Sequence, residues 1–280
     1  MCSNMVSNTS PIMLIDTSYL SFYRFFATKR WMNFAHPSID LKTIVWEKSD
    51  IFMNKYENMY MKSLDRFIRK YNIPYQNIVF VKDCPRKDIW RNDIYPDYKA
   101  TREAANRSFT GGLVFKYTHN TILPSIKNRF HCKSIRINRA EADDVIAVSK
   151  KYIRQLFPTR QIIIITSDSD YIQLADEFTE ILNLRNKSLK EKSYGSREMD
   201  LFIKIMRGDK SDNIPGCAKR IGEKKAIKYY NNPELLQTLF HNNPEAKIQF
   251  DLNCNLIDFD RIPTDLCDLI IEKLNKLTVF

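Results

Sequence analysis

The stretch "RQIIIITSD" (residues 160–168) sets four consecutive isoleucines ahead of a Thr-Ser-Asp end. A strand with one wet face alternates apolar and polar residues. An unbroken apolar run instead fits a strand covered on both faces, as in a parallel sheet flanked by helices. Outward from it, "PIMLID" (11–16), "NIVFVKD" (77–83), "KSIRIN" (133–138) and "EILNL" (180–184) read as four more strands. Between them, "YENMYMKSLDRFIRKYN" (56–72), a segment from about Ala140 to Leu156, and "REMDLFIKIMRG" (197–208) carry apolar residues at helical spacing. Strand–helix alternation predicts an α/β fold with a mostly parallel central sheet flanked by helices. Two regions break the alternation. Residues 84–130, opening "CPRKDIWRNDIYPDYKATREAANRSF", are too long for an ordinary connection and read as a functional insertion. Beyond residue 208 the strand signals fade into helices and loops.

The totals narrow the function classes. A chain of 280 residues, 44% hydrophobic and 28% charged, has room for one large domain or two small ones. Its formal net charge of +11 points to a polyanionic partner, against the competing reading of a solubilising lysine-rich surface. Six cysteines without a CxxC pair and four histidines without HxxxH spacing exclude a zinc-finger-like site. Such scattered cysteines fit reduced thiols of an intracellular protein. No basic leader, no span of ~20 apolar residues and no GxxxxGK[ST] or GxGxxG motif occurs, so neither a membrane nor a nucleotide cofactor is expected.

The acidic residues fall in a pattern. Asp16, Asp83 and Asp168 each stand at the end of a predicted strand, with Asp170 two positions on. In open parallel sheets the site forms beyond the carboxyl ends of the strands. One such Asp reads as a helix N-cap; three strand ends together with "RAEADDVIA" (139–147) read as a site. In that stretch Glu141 and Asp144 share a face if all is helical. If Glu141 instead precedes the helix, Glu141 and Asp143 converge with Asp144 behind them. "GDKSDNIPG" (208–216) adds Asp209 and Asp212 at i, i+3. Carboxylates so crowded repel one another unless protonated or bound to cations. Oxygen donors without His or Cys suit Mg²⁺ or Mn²⁺. Two such ions ~3.5–4 Å apart serve phosphodiester hydrolysis, and the basic surface would hold the polyanion.

The ordered motifs "LIDTSYLSFYR", "VFVKD", "YPDYKATR", "RAEADDVIA", "IITSDSDYIQL" and "GDKSDNIPG", spanning about residues 12–230, resemble the 5′-nuclease superfamily of flap endonucleases, phage 5′-exonucleases and the 5′-nuclease domain of bacterial DNA polymerase I. The resemblance implies a PIN-like fold with a helical arch and two Mg²⁺ ions, Mn²⁺ substituting. Asp16, Asp83, Glu141 and Asp143 would surround the first ion. Asp168, Asp170 and Asp209 would surround the second, with Asp144 and Asp212 secondary. Lys99 and Arg102 match the basic pair at the arch base that contacts the scissile phosphate, consistent with point-charge and forked recognition of phosphate. Arg24 resembles a basic residue after the first Asp. Arg91 is placed with the DNA contacts. Tyr98 and Trp90 either stack on bases or pack the arch against the sheet.

"DNIPGCAKRIGEKKAIKYY" (212–230) resembles the H3TH-type helix–turn–helix element that grips duplex backbone, with Gly216, Gly222, Lys224, Lys225 and Lys228 at the phosphates. "GCAKRIG" departs from the family pattern in length and in a missing glycine, so the family's K⁺ site there stays open. The domains expected are 1–207, catalytic with the arch at 84–130, and 208–280, helical and DNA-binding. The implied protein is a stand-alone, monomeric, structure-specific 5′ nuclease of replication and repair. Its substrates would be 5′-flap, nicked or gapped DNA, RNA-primed ends included. A PIN-type ribonuclease and a non-catalytic nucleic-acid-binding module are the alternatives. "EKLNKLTVF" (272–280) lacks the paired aromatics of a sliding-clamp motif.

Overall fold

The structure is a computed structural model, described over residues 10–102 and 109–277. Part of the expected arch (103–108) and the end of "EKLNKLTVF" lie outside the described residues. Five strands, β1 (Ile12–Asp16), β2 (Ile78–Lys82), β3 (Lys133–Arg136), β4 (Ile162–Ile165) and β5 (Thr179–Leu182), form one parallel sheet in the order β3-β2-β1-β4-β5. The isoleucine run is β4, fully buried between β1 and β5. Its side chains divide by the strand period of two. Ile162 and Ile164 join one core with Ile12, Leu14, Val79 and Val81. Ile163 and Ile165 join the other with Met13, Ile15, Ile78 and Phe80.

Helices α1 (Thr17–Ala35) and α2 (Asp50–Tyr71) cover the second face, with α3 (Gly112–Tyr117) and α4 (Leu123–Phe130) beside them. α5 (Ala142–Leu156) covers the first. Each long helix has a chemical start. The Asp16 carboxylate accepts from Tyr19 N at 2.9 Å, and the Ser49 hydroxyl accepts from Phe52 N at 3.3 Å. α2 stops where Asn72 turns left-handed, at φ 50°.

After β5 come α6 (Arg197–Arg207), α7 (Glu223–Tyr230), α8 (Pro233–Asn242), α9 (Pro244–Ile257) and α10 (Thr264–Lys276). The packing does not divide at residue 207. α6 packs with α7 and α9 around Ile203, Met206, Cys217, Ala226 and Tyr229. Phe259, Ile262, Leu266, Ile270 and Leu274 return to the strand core against α5. The last turns of the expected 208–280 unit thus pack with the sheet core, where the apolar stripe of α10 lies against α5. No described helix is long and apolar enough to cross a membrane.

Candidate active site

The strand order places the site. The chain runs outward from β1 through β2 to β3, then crosses back to β4 on the other side of β1. The order reverses between β1 and β4, which is where open parallel sheets bind ligands. Asp16 closes β1, Asp83 follows β2 on one flank, and Asp168 follows β4 on the other. The three meet electrostatically. Burial, then Asp83, then Asp168 push the Asp16 carboxyl up to about 7, against the stabilising hydrogen bond from Tyr19 N. Thr166 Oγ1 also donates to Asp16 at 3.3 Å. Asp83 accepts from Ser18 Oγ at 2.5 Å and from Ala142 N at 2.8 Å, tying β2 to the start of α5.

Glu141 occupies the N-cap position of α5 with extended backbone (φ −80°, ψ 165°), so the second of the two helical readings holds. Oxygens of Glu141, Asp143 and Asp144 lie within 4.8 Å of one another. Their environments separate them. Glu141 accepts from Arg91 Nη1 at 3.0 Å, from Tyr98 Oη at 2.9 Å and from Lys99 Nζ. Burial opposes its charge, but Lys99 and Arg91 outweigh burial and hold its pKa below the ordinary carboxylate value. Asp143 is pushed well above that value, by burial first and then by Glu141 and Asp144. Asp144 is 0% exposed. Its two oxygens are taken by Arg91 Nη2 at 2.7 Å and by Arg91 Nη1, Trp90 Nε1 and Glu141 N, each at 3.0 Å. Asp144 thus stands behind the other two and holds their supports.

The second group lies one step along the edge. Asp168 is exposed and accepts from Asp170 N at 3.0 Å. Burial and Asp168 push Asp170 up to about 7, although the Lys204 ammonium sits 2.6 Å from it. The same ammonium is 2.5 Å from Asp209 and outweighs burial to draw that carboxyl down to about 2. Lys204 was not anticipated. Its signal in "FIKIMRGD" is a basic residue in the last turn of a helix that runs directly into Asp209.

Two expectations need correction, and one open alternative narrows. Arg91, placed among the DNA contacts, is 1% exposed, with its guanidinium committed to Glu141, Asp144 and Leu256 O. Tyr98 is 4% exposed and donates to Glu141 and Asp212, so its ring packs inward and is not open to a base; Trp90 is buried likewise. Asp212 is a counter-ion: it accepts from Arg102 Nη2 and Tyr98 Oη, with Lys99 Nζ 3.5 Å away. In each case a buried charge or hydroxyl found its partner within the protein.

The basic residues border the carboxylates. Lys99 has left-handed backbone (φ 57°) and is buried between Glu141 and Asp212; Arg102 keeps a side chain 42% exposed. Arg24 lies half-buried two turns along α1 from Asp16. Below the site, α6 passes through Gly208 and the Asp209–Ile214 bridge to α7, whose Lys224, Lys225 and Lys228 are exposed. Gly216 sits so close under α6 that a Cβ there would lie 2.9 Å from Arg207 O, and Gly222 opens α7 as its N-cap.

An acidic edge at the switch point of a parallel sheet, bordered by cations suited to a phosphate backbone, defines a nuclease of the α/β class. The chain belongs to the 5′-3′ exonuclease family: the profile for its N-terminal, resolvase-like domain matches residues 11–200. Among relatives, a 5′-3′ exonuclease of Buchnera aphidicola from Schizaphis graminum is 29% identical over 206 residues, 68% of each chain. The ribonuclease H of Enterobacteria phage T4 is 26% identical over 252 residues, 82% of this chain and 80% of its own. The bacteriophage T5 flap endonuclease, solved with DNA and metal ions, shares the fold with a TM-score of 0.70 at 18% identity, over 95% of this chain and 98% of its own.

Proposed function

We propose that this 5′ nuclease uses two Mg²⁺ ions to hydrolyse DNA phosphodiesters at the branch of 5′-flap, nicked or gapped duplexes. The observation that carries the reading is the convergence of Asp16, Asp83, Asp143 and Asp168 on the β1/β4 switch point. Two of these, Asp16 and Asp143, are held above their ordinary pKa by burial and by their neighbours.

The donor set fits hard divalent cations, since it is all oxygen. Asp16, Asp83, Glu141 and Asp143 would hold one ion; Asp168, Asp170 and Asp209 would hold the other. When bound, such ions lower the pKa of water and neutralise charge on the reacting phosphate. The chain's own residues supply the rest. Arg91 and Lys99 keep Glu141 ionised. Asp144 fixes Arg91 and the Glu141 backbone. Arg102, half-exposed, sets positive charge at the rim, where phosphate oxygens gain charge during displacement, and buried Lys99 adds to that field. Lys224, Lys225 and Lys228 hold the duplex backbone.

Cleavage of a 5′-labelled flap duplex in Mg²⁺ tests this, with EDTA and Asp168→Asn as controls. Metal-dependent product lost in both controls is expected; no product on flap, nicked or gapped duplexes overturns the reading. The name of the T4 relative favours a second substrate, RNA-primed ends, and a matched flap carrying 5′ ribonucleotides measures that preference.

A further inference from the structure

Residues 17–71, which include α1 and α2, contain ten Lys and Arg against five Asp and Glu. Among the described residues none of these ten cations is in an ion pair. Some basic side chains elsewhere do pair, at Asp144, Asp176, Asp209, Asp212 and Asp260 among others. Two of the ten, Arg24 and Arg66, meet. The Arg24 guanidinium lies 5.0 Å from the Tyr23 ring centroid, and its Nε is buried without a hydrogen-bond partner. Arg66 of α2 is close enough to Arg24 for like-charge repulsion, and it donates to Leu184 O at 2.7 Å, past the end of β5. Leu184 N donates to Tyr19 Oη at 2.9 Å, and the next residue, exposed Arg185, reaches the Tyr23 hydroxyl. Three segments far apart in sequence thus bring three arginines to one neighbourhood, around Tyr19, Tyr23 and Leu184. Of the carboxylates nearby, Glu180 accepts from the Tyr71 hydroxyl at 2.7 Å, and Asp65, beside Arg66 on α2, is in no ion pair among the described residues. Like charges gathered without a counter-ion raise the local potential and favour an anionic ligand.

The place of the cluster indicates which anion. Tyr19, which anchors it, also gives its backbone N–H to Asp16. Arg24 is two positions from Phe22, hence ~200° around the helix. Phe22 packs on Phe109 and Phe115, at the end of the arch segment. The cluster therefore lies on the side of α1 away from the arch, yet within two turns of the acidic edge. A nucleic-acid strand leaving the acidic edge on that side meets it.

We propose that Arg24, Arg66 and Arg185 form a second phosphate-binding surface, which holds the backbone of one duplex arm of a branched substrate on the side of α1 opposite the arch. This rests on the DNA substrate proposed above. Binding of the full chain in Ca²⁺ to two labelled DNAs tests it: a two-armed nicked flap, and a one-armed duplex with a 5′ single strand. Arg66→Ala/Arg185→Ala removes two phosphate contacts. On the two-armed DNA the slope of log K against log salt becomes shallower by about two, and affinity falls about tenfold or more. On the one-armed DNA the change stays within about twofold. Arg185→Glu, at a fully exposed position, gives the same selective loss without touching the Arg66–Leu184 tie. A control, Lys247→Ala/Lys276→Ala, removes equal charge elsewhere. Equal losses on both DNAs, an equal loss in the control, or an unchanged salt slope overturns the proposal. If the unaltered chain binds neither DNA, the DNA-substrate reading itself fails, and the proposal with it.

Discussion

Replacing Arg91 with methionine tests how the acidic edge is held. The guanidinium makes four hydrogen bonds of 2.7–3.0 Å: two to Asp144, one to Glu141 and one to Leu256 O. Its removal leaves Asp144, 0% exposed, with Trp90 Nε1 and Glu141 N, and leaves Glu141 with Lys99 and Tyr98. Removing one partner of a buried ion pair costs about 3–5 kcal/mol, because the other charge stays desolvated. For a chain of this size that is a fall in melting temperature of roughly 6–20 °C. Thermal unfolding followed by circular dichroism in EDTA reads it directly. Pairing Arg91→Met with Asp144→Leu should recover part of the loss, since an apolar replacement of the whole pair is often close to neutral. A loss below about 1 kcal/mol for Arg91→Met, the range of exposed ion pairs, would refute the buried-counter-ion argument.

Three further outcomes are expected. Lys204→Met should lower stability in EDTA by ~1–3 kcal/mol, because Asp170 and Asp209 lose their shared ammonium, and millimolar Mg²⁺ should restore most of it; an equal deficit with and without Mg²⁺ would count against a shared cation position. The raised Asp16, Asp170 and Asp143 hold protons in the folded chain that the unfolded chain has released. For Asp16 and Asp170 the contribution is full below about pH 4 and is lost as pH rises through about 7, and Asp143 acts in the same direction, so melting temperature in EDTA should climb between about pH 8 and 6, with Mg²⁺ stabilising more at the higher pH. Gly208→Ala should cost at least ~2 kcal/mol: at φ 67° its Cβ would lie 2.4 Å from Ile214 O and Pro215 O, and hydrogen exchange should speed up at the Asp209 and Ile214 amides that close the turn.

The five strands, α5 and α6 were legible because each is set by a local period. The "IIII" run and the alternating strands sort their own residues between the two cores, and Asp16, Asp83 and Asp168 follow from where the strands end. The carboxylates and their partners were not equally legible. Glu141 before α5 was one of two helical readings, and extended backbone at one residue decided it. Lys204 gave almost no signal, because its partners are Asp170, 34 positions upstream, and Asp209 beyond a glycine turn.

From sequence alone came the parallel sheet, the acidic edge and the basic character of the chain, since strand period, strand-end position and net charge are properties of short segments or of totals. Tertiary structure decided which charges face outward. Arg91 and Tyr98 sit in a basic, aromatic stretch that reads as a DNA surface, yet they close inward on Glu141 and Asp144. Arg66 and Arg185 sit in unremarked helix and loop positions, yet they join Arg24 in one neighbourhood without an ion-pair partner. Burial and hydrogen bonding between residues 43 to 165 positions apart have no period to read, and folding alone assigns the partners.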